Sequence, residues 1–436
     1  MLFKGGEFKE DRDLFLFKFK WRSLVDMREI FSKALGINSP WYIAGINFDV
    51  KAKRLDIRID FPRGTTFSFE EEGTVAEYKA YDTVEKEWRH LNFFEHECYL
   101  QARVPRIKTP DNKVHLMMPY WSGLQTGFTL LFEAFILQLS KGMPVHQVCQ
   151  LVKVSNHKVW SILDKYTEKA RALNNYREVT KIGLDETAIA KGHDYVTLFV
   201  DLEKKKTVFV AEGKDNATIK AFAEDLERHQ GHANNITDVS CDMSPAFIKG
   251  VKENLPEAKI TFDKFHIVKM INEAIDAVRR MEIKENPLLK GTRYIFLKNE
   301  KNLTQIQRDK KTELQLSKLN IKLFRALNLR ETFQQIYAAF TEHDFQILLK
   351  KWYFWATHSR LEPMKKVAKT IKNHWDGILQ WKKSQINNGI LEGLNSVVQA
   401  AKRKARGYKF KHFKTIVYLI TGGLDFSKVN SACLPT

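Results

Sequence analysis

Cysteine and long apolar runs are both scarce in this 436-residue sequence. The cysteines form no CxxC pair and have no close spacing, which excludes a disulfide framework and a cysteine zinc clamp. No run of about 18 uninterrupted apolar residues occurs, and charges interrupt the amino-terminal residues, so we expect neither a membrane-spanning helix nor a signal peptide. These absences are typical of a soluble protein of a reducing cytoplasm. The cysteines are Cys98, Cys149, Cys241 and Cys433.

Basic residues, by contrast, are in excess. The sequence has 71 Lys and Arg residues against 52 Asp and Glu residues, a formal net charge of +19. Such a charge suits a polyanionic partner, of which nucleic acid is the first candidate. Secreted basic proteins and membrane-surface proteins share this charge, so the motifs must decide. The hydrophobic content of 44% is enough for buried cores, and the length predicts two to four domains.

Strand-like alternation dominates the first part of the chain. Apolar and polar side chains alternate over residues 54–61 and again over residues 95–105. This pattern predicts a small β module over residues 38–119, which follows an amino-terminal extension and entry helix at residues 1–37.

Residues 120–178 change to helical spacing and predict a helix-turn-helix. Ser155 is the expected N-cap of its last helix, Asn156–Ala172, whose apolar residues face inward. We expect its polar outer face to bind DNA, although a generic three-helix packing with a solvated polar side explains the spacing equally well. The outer-face residues are His157, Lys158, Ser161 and Lys165.

Strands and helices alternate from residue 179 onward. Three strands, then helix, strand, helix and strand, are the element order of an RNase H-like fold. We therefore expect a multidomain protein with an α/β RNase H-like core at residues 179–283 and 381–436, interrupted by a helical insertion at residues 284–380. The predicted strands are Lys181–Ala190, Tyr195–Leu202, Thr207–Ala211, Ile236–Cys241 and Lys259–Phe262, and the predicted helices are Ala217–His229 and Pro245–Asn254.

Three carboxylates occupy positions that suit a metal site. Asp185 lies in an apolar strand, where an unpaired charge is costly to bury, and Asp242 ends a strand that would be its neighbour. Glu392 lies early in a helix and shares a face with Asn395. Together the three are predicted ligands of two Mg²⁺ ions, for which Mn²⁺ can substitute, in a site for phosphoryl transfer. The structural alternatives are that Asp185 is a turn residue, that Asp242 is the N-cap of the following helix, and that Glu392 forms a salt bridge with a nearby basic residue.

At these residues the chain resembles the bacterial insertion-sequence transposases of the ISL-three family, which use an Asp-Asp-Glu active site. The resemblance covers roughly residues 27–425 and is most specific over residues 388–408. It implies that Asp185, Asp242 and Glu392 are the catalytic, metal-binding triad, with a helical insertion before Glu392. The other matching stretches are Gly183-Leu184-Asp185-Glu186, Lys191-Gly192-His193, Asp242-Met243-Ser244-Pro245 and Phe262-Asp263-Lys264-Phe265-His266.

Further residues are expected to support this site. Asp263 and His266 are similar to the Asp-x-x-His element of several transposase groups and would brace the site or orient DNA, with a purely structural histidine as the alternative. Asn395 joins them as a supporting residue. A basic run on the continuation of the Glu392 helix suits phosphates that flank the cut site, although a solvated charged face has the same pattern. This run is Lys402, Arg403, Lys404 and Arg406.

The resemblance implies an enzyme that binds the terminal inverted repeats of an insertion sequence, cuts the strands and joins them to target DNA. Its partners would be double-stranded DNA and at least one further copy of the chain, and its location the cytoplasm, in association with the nucleoid. A domesticated transposase that regulates by binding DNA is one alternative, and the intact triad argues against it. A metal-dependent nuclease without strand transfer is another, and the amino-terminal DNA-binding modules argue against that.

The sequence departs from the family in its first part. The family usually has a zinc ribbon there, but this chain has Glu71, Thr74 and Thr109 where the ligands are expected, so we expect a degenerate ribbon without zinc. Residues 1–26 lie outside the resemblance and are expected to be an added extension. In the insertion, the aromatic residues at positions 352–355 and Trp375 suit stacking on an extruded base or a hydrophobic core, and the core is the prediction.

Overall fold

A computed structural model describes residues 27–71, 73–125, 127–189, 195–298, 302–316, 321–386 and 389–433. The chain divides into two compact units between Glu133 and Ala134. The predicted extension at residues 1–26, the matching stretch Lys191-Gly192-His193 and Asn388 of the most specific stretch lie outside the described residues. Within the described ranges, no helix combines the length and the apolar content needed to cross a bilayer.

The amino-terminal unit is built mainly of strands, as predicted. Its large sheet has the order β1-β2-β6-β5, with β7 paired to β6, and a separate hairpin joins β3 and β4. The strand β6 continues through Pro105, where the alternation had been expected to end, and the Pro105 carbonyl accepts a hydrogen bond from Met117. The elements are α1 (Met27–Leu35), β1 (Tyr42–Asp49), β2 (Arg54–Asp60), β3 (Thr66–Glu71), β4 (Thr74–Lys79), β5 (Asp82–Phe93), β6 (His96–Lys108) and β7 (Val114–Leu116).

One face of this sheet is apolar and the other is charged, because successive side chains of a strand point to opposite faces. Leu55, Ile57 and Ile59 of β2 are buried against Trp88 and Leu100. The other face of β2 is charged: Asp56 pairs with Arg54 along the same strand, and Asp60 pairs with Arg103 of β6.

The last helix of the helix-turn-helix has the bounds that the sequence predicts, Asn156–Ala172. The helix α2 (Leu130–Gly142) crosses the boundary between the units and is followed by α3 (Val145–Val152) and α4 (Asn156–Ala172). Ser155 is the N-cap residue of α4 with extended backbone, although its side chain makes no capping hydrogen bond. The predicted inward residues of α4 are buried, namely Val159, Ile162, Leu163 and Tyr166.

The carboxyl-terminal unit contains a five-stranded sheet of order β10-β9-β8-β11-β12. The first three strands along the chain are antiparallel neighbours, whereas β11 is parallel to both β8 and β12. Every predicted strand and helix of this region is confirmed, with ends that differ by at most about two residues. The elements are β8 (Lys181–Ala188), β9 (Tyr195–Asp201), β10 (Lys206–Glu212), α5 (Asn216–Arg228), β11 (Asp238–Cys241), α6 (Pro245–Asn254), β12 (Lys259–Phe262) and α7 (Lys264–Ile283).

The rest of the described chain is helical, as expected for the insertion. Helix α13 (Trp375–Ser384), which spans the predicted end of the insertion at residue 380, packs directly on β12. A Cβ atom added to Gly377 would lie 2.4 Å from the Phe262 ring, so that only glycine permits this approach. Trp352 is buried as predicted, but Phe354 and Trp355 are exposed, so the core prediction is wrong for those two rings. The helices are α8 (Arg293–Leu297), α9 (Gln305–Leu316), α10 (Ile321–Ile336), α11 (Glu342–Thr357), α12 (Glu362–Asn373), α13 (Trp375–Ser384), α14 (Gly389–Lys404) and α15 (Phe410–Thr421).

Candidate active site

The sheet brings the two predicted aspartates to the same edge. The parallel pairing of β8 and β11 aligns Gly183 with Ser240, and Asp185 and Asp242 each follow two residues later. Asp185 lies within β8 and is therefore not a turn residue, while Asp242 follows β11 and accepts a hydrogen bond from the Ser244 amide at 2.9 Å. Since Ser244 is the N-cap residue of α6, Asp242 is not that cap.

The surroundings of Asp185 disfavour its charge. Burial raises the pKa of Asp185 to about 6, and the neighbouring carboxylates of Asp263 and Asp242 add to the shift, although His266 and the Glu186 amide oppose it. Burial also raises the pKa of Glu186, with Asp242 and Asp185 as further causes. The sheet edge is thus a place where negative charges lie close together in partial burial.

Asp263 and His266 form a supporting pair beside these carboxylates. Asp263 follows β12 and caps α7, where its Oδ1 accepts a hydrogen bond from the Phe265 amide at 2.8 Å. Its Oδ2 lies 3.0 Å from Nδ1 of His266, and this hydrogen bond raises the pKa of His266. The carboxylates of Asp185 and Asp242 raise the pKa of His266 further, so the site favours the protonated form of the imidazole more than water does.

Helix α14 packs closely on β8. A Cβ atom on Gly183 would lie 2.6 Å from the Leu391 side chain, so this glycine permits the close approach. Asn395 then donates its amide to Asp185, Gln399 donates to Thr187, and Lys402 donates to the Ala188 carbonyl. The spacing of four and three residues places these donors on one face of the helix. Oδ1 of Asn395 is buried and, within the described chain, has no hydrogen-bond partner.

Glu392 lies one helical turn before Asn395, at the edge of the same helix face. It is exposed and lines a cavity of about 1190 Å³ together with Asp263, Lys264 and Trp381. No ion pair of Glu392 occurs among the residues that the structure describes. Over the same residues, no three His, Cys, Asp or Glu side chains are gathered as a ready-made metal site. Asp185, Asp242, Asp263 and His266 therefore share one sheet edge and influence one another electrostatically, without the arrangement of a preformed metal site. Glu392 lies on the wall of the adjoining cavity.

The basic run after Glu392 has three exposed residues and one that contacts the sheet. The prediction that the helix continues through Arg406 is wrong, because α14 ends at Lys404 and Arg406 and Gly407 have positive φ angles of 61° and 107°. The Gly407 amide bonds to the Lys402 carbonyl at 3.1 Å, which closes the last turn. Arg403, Lys404 and Arg406 are exposed, whereas Lys402 is directed to β8.

The outer face of α4 is exposed at His157, Lys158 and Lys165, while Ser161 is half-buried. Helix α15 holds α4 at the side chains next to this outer face. The Trp160 ring stacks on His412 with 3.8 Å between ring centroids, and Asp164 pairs with Lys411 at 3.0 Å. Since α15 also packs on α14, the helix-turn-helix and the helix of Glu392 are joined through one short element of the same unit.

The sequence prediction gave no role in the site to two residues, Glu186 and Gln399. Glu186 belongs to the charged sheet edge, where Lys214 approaches it to 4.0 Å. Gln399 lies four residues after Asn395 on α14, and its donation to Thr187 is a contact that the sequence does not predict. The signal for Glu186 was its place beside Asp185, which alone does not tell whether a strand residue points to the site or to solvent.

A helix-turn-helix and a carboxylate-lined sheet edge in one chain are together typical of enzymes that act on DNA. A sequence profile of the ISL3 family, described as a transposase, matches residues 182–417. A second profile, for the helix-turn-helix domain of transposase family ISL3, matches residues 124–167. The chain therefore belongs to the ISL3 family of insertion-sequence transposases, as the resemblance predicted. It is a transposase, an enzyme acting on DNA, and its helix-turn-helix is confirmed as a family feature.

Named relatives agree with this assignment. The chain is 26% identical over 353 residues to the transposase for insertion sequence element IS1557 of Mycobacterium tuberculosis. The aligned region covers 74% of this chain and 78% of the relative. The chain is also 27% identical over 351 residues to the transposase for insertion sequence element IS1001 of Bordetella parapertussis, and this aligned region covers 77% of this chain and 84% of the relative.

Proposed function

We propose that this transposase binds the terminal inverted repeats of its insertion sequence and catalyses metal-dependent strand cleavage and strand transfer. The observation that carries the proposal is the crowding of Asp185, which lies within β8, with Asp242 and Asp263, which directly follow the neighbouring parallel strands β11 and β12. Like charges in partial burial are costly, so such a cluster is retained where a cation or a reacting group offsets it. The strand order supports an RNase H-like core as the scaffold.

The residues at the sheet edge fit a divalent cation. Asp185 and Asp242 supply the carboxylate oxygens that Mg²⁺ prefers, and Glu392 would complete the set from α14. The raised pKa of Asp185 and the partnerless Oδ1 of Asn395 are both features that a nearby cation would relieve. When bound, a pair of Mg²⁺ ions supplies activation of water or a 3′-hydroxyl and stabilisation of the leaving oxygen.

The other side chains position this chemistry. The Asn395 amide orients the Asp185 carboxylate, and Asp263 holds the His266 ring beside it. The exposed Arg403, Lys404 and Arg406 bind phosphates next to the cut, while the outer face of α4 binds the repeat. Because α15 contacts both α4 and α14, the repeat is held in a fixed relation to the site. Two ends must be joined, so the working complex contains at least two copies of the chain.

Cleavage and joining of labelled element ends with Mg²⁺ test the proposal. Asp185→Asn, Asp242→Asn and Glu392→Gln should each lower cleavage at least about a hundredfold and leave repeat binding intact. Glu212→Gln, a neutralised exposed carboxylate at the end of β10, is the matched control and should cleave normally. Full cleavage by the three site variants would refute the assignment, and binding without cleavage by the wild type with Mg²⁺ or Mn²⁺ would indicate a DNA-binding regulator.

A further inference from the structure

Helix α11 of the insertion has an exposed stripe that the catalytic site does not use. Phe354 is 57% exposed and Trp355 is 50% exposed, which is unusual for two adjacent large aromatic side chains. Lys351 and His358 are also exposed and lie four residues from Trp355 and Phe354, respectively, so all four share one side of the helix. We call Lys351, Phe354, Trp355 and His358 the α11 stripe.

The helix behind this stripe is firmly packed. Phe345, Leu349, Trp352 and Ala356 on its opposite side are buried in the core of the unit. Nε1 of Trp352 donates a hydrogen bond to the Leu329 carbonyl at 2.7 Å, which satisfies the one polar atom of that ring. The exposed rings therefore sit on a fixed platform, and their exposure is not a sign of a loosely placed helix.

The charge around the stripe is positive. Residues 345–360 contain Lys350, Lys351 and Arg360 but no Asp or Glu. All three cations are exposed, and within the part of the chain that the structure describes neither lysine takes part in an ion pair. Exposed aromatic rings interleaved with uncompensated cations are complementary to a polyanion that also has flat apolar faces. Nucleic acid has both properties.

We infer that the α11 stripe binds unpaired nucleotides of the DNA substrate, with bases stacked on Phe354 and Trp355 and phosphates near the lysines. Bases inside a duplex are already stacked on their neighbours, so exposed ring faces select DNA that is locally single-stranded. The Phe354 ring already stacks on His358, with ring centroids 4.1 Å apart, which fixes one ring before DNA arrives. The inference rests on the proposed DNA cleavage, because base pairs beside a strand break open more readily than base pairs inside an intact duplex.

Fluorescence anisotropy with the full chain tests the stripe. A labelled single-stranded thymidine oligonucleotide and a duplex of equal length are titrated with wild type, Phe354→Ala, Trp355→Ala and Trp355→Phe. Each alanine variant should bind the single strand about tenfold more weakly and the duplex unchanged, while Trp355→Phe retains affinity. Lys351→Ala should make the slope of log affinity against log salt concentration shallower, by the equivalent of about one phosphate contact, for the single strand. Phe340→Ala removes a ring that is 95% exposed just before α11, and it should have no effect.

Each other outcome overturns the inference in a recognisable way. Unchanged single-strand affinity of both alanine variants removes the stripe from the interface, and equal losses for single strand and duplex show phosphate binding without base stacking. Loss of self-association without DNA, with oligonucleotide affinity retained, would make the stripe an interface between copies of the chain. Cleavage of element ends by the same proteins separates the two proposals, because wild-type cleavage with no stripe effect refutes only the stripe. A selective stripe effect without any cleavage refutes only the proposed function.

Discussion

In the amino-terminal sheet, the carboxylates of β2 face guanidinium groups, whereas at the edge of the carboxyl-terminal sheet the carboxylates face one another. Asp56 accepts hydrogen bonds from Nε of Arg54 at 2.8 and 3.0 Å, and Asp60 accepts from Arg103 at 2.6 Å. Asp185, with Asp242 and Asp263 as neighbours, has His266 as the opposing charge. Partial burial is common to both regions, so the partner and not the burial distinguishes a structural acid from a candidate catalytic acid.

The largest expected effect concerns Asp185. Asp185→Asn should abolish cleavage and yet raise the free energy of unfolding of the metal-free protein by about 2 kcal/mol, because it removes a buried charge from among like charges. Thermal unfolding in EDTA measures the stability, and Asn keeps the shape of the side chain. A lower melting temperature for this variant would mean that Asp185 is paired as the acids of β2 are, and the contrast between the regions would be lost.

The next effect concerns pH in the amino-terminal unit. Burial lowers the pKa of His90 to about 4, and its Nδ1 lies 2.9 Å from Oγ1 of Thr129. Because the pKa of His90 is lower in the folded than in the unfolded chain, the unfolded chain takes up the proton at a higher pH. The contribution of neutral His90 to the free energy of unfolding is therefore fully present above about pH 6.5 and is lost as the pH drops towards 4. About 2 kcal/mol should be lost between pH 7.5 and pH 5.

Hydrogen–deuterium exchange of β5 checks this expectation. Wild type and His90→Gln are compared at each pH, so that the intrinsic pH dependence of exchange cancels. The protection of β5 should fall with pH in the wild type and remain level in the variant. Parallel losses in both proteins would assign the acid sensitivity of this unit to its carboxylate pairs instead of His90.

The sequence predicts the carboxyl-terminal unit well because its signals are local. Apolar strands at Lys181–Ala188 and Lys259–Phe262 and the proline-initiated α6 are readable from periodicity and turn residues. The end of α14 was missed because two residues in the left-handed region, Arg406 and Gly407, close the helix inside an otherwise helical run. Lys and Arg are good helix formers, so the composition of this run favours a continued helix and obscures the glycine that ends it.

The candidate site was predictable in its residue types and only partly in its contacts. Parallel pairing of neighbouring strands was enough to expect Asp185 near Asp242. The donation from Asn395 to Asp185 and the packing of Trp160 on His412 link residues more than 200 positions apart, and no local pattern encodes such pairs. Exposure of Phe354 and Trp355 was also hidden, because aromatic residues at helical spacing look the same whether the helix is covered or not.

A smaller effect is expected from breaking one pair on β2. Asp56→Asn should lower the stability of the amino-terminal sheet by about 1 kcal/mol, because Arg54 loses a two-point contact with a carboxylate in partial burial. Hydrogen–deuterium exchange of β2 and β6 measures the loss. Since the same chemical change stabilises at Asp185, a gain here would erase the distinction between paired and crowded acids.

The smallest effect is expected at the pair of Lys53 and Glu95, whose charged atoms are 2.7 Å apart. This distance equals that of the Arg54 and Asp56 pair, but both side chains are more than half exposed, at 59% and 66%. Water and salt screen such a pair, and two long side chains lose freedom in forming it, so Glu95→Gln should leave the exchange of β2 and β6 unchanged at any salt concentration. A loss as large as that of Asp56→Asn would show that pairing alone stabilises this sheet. No loss would show that a paired acid stabilises only where it is sheltered, which is the condition that also makes the crowding at Asp185 costly.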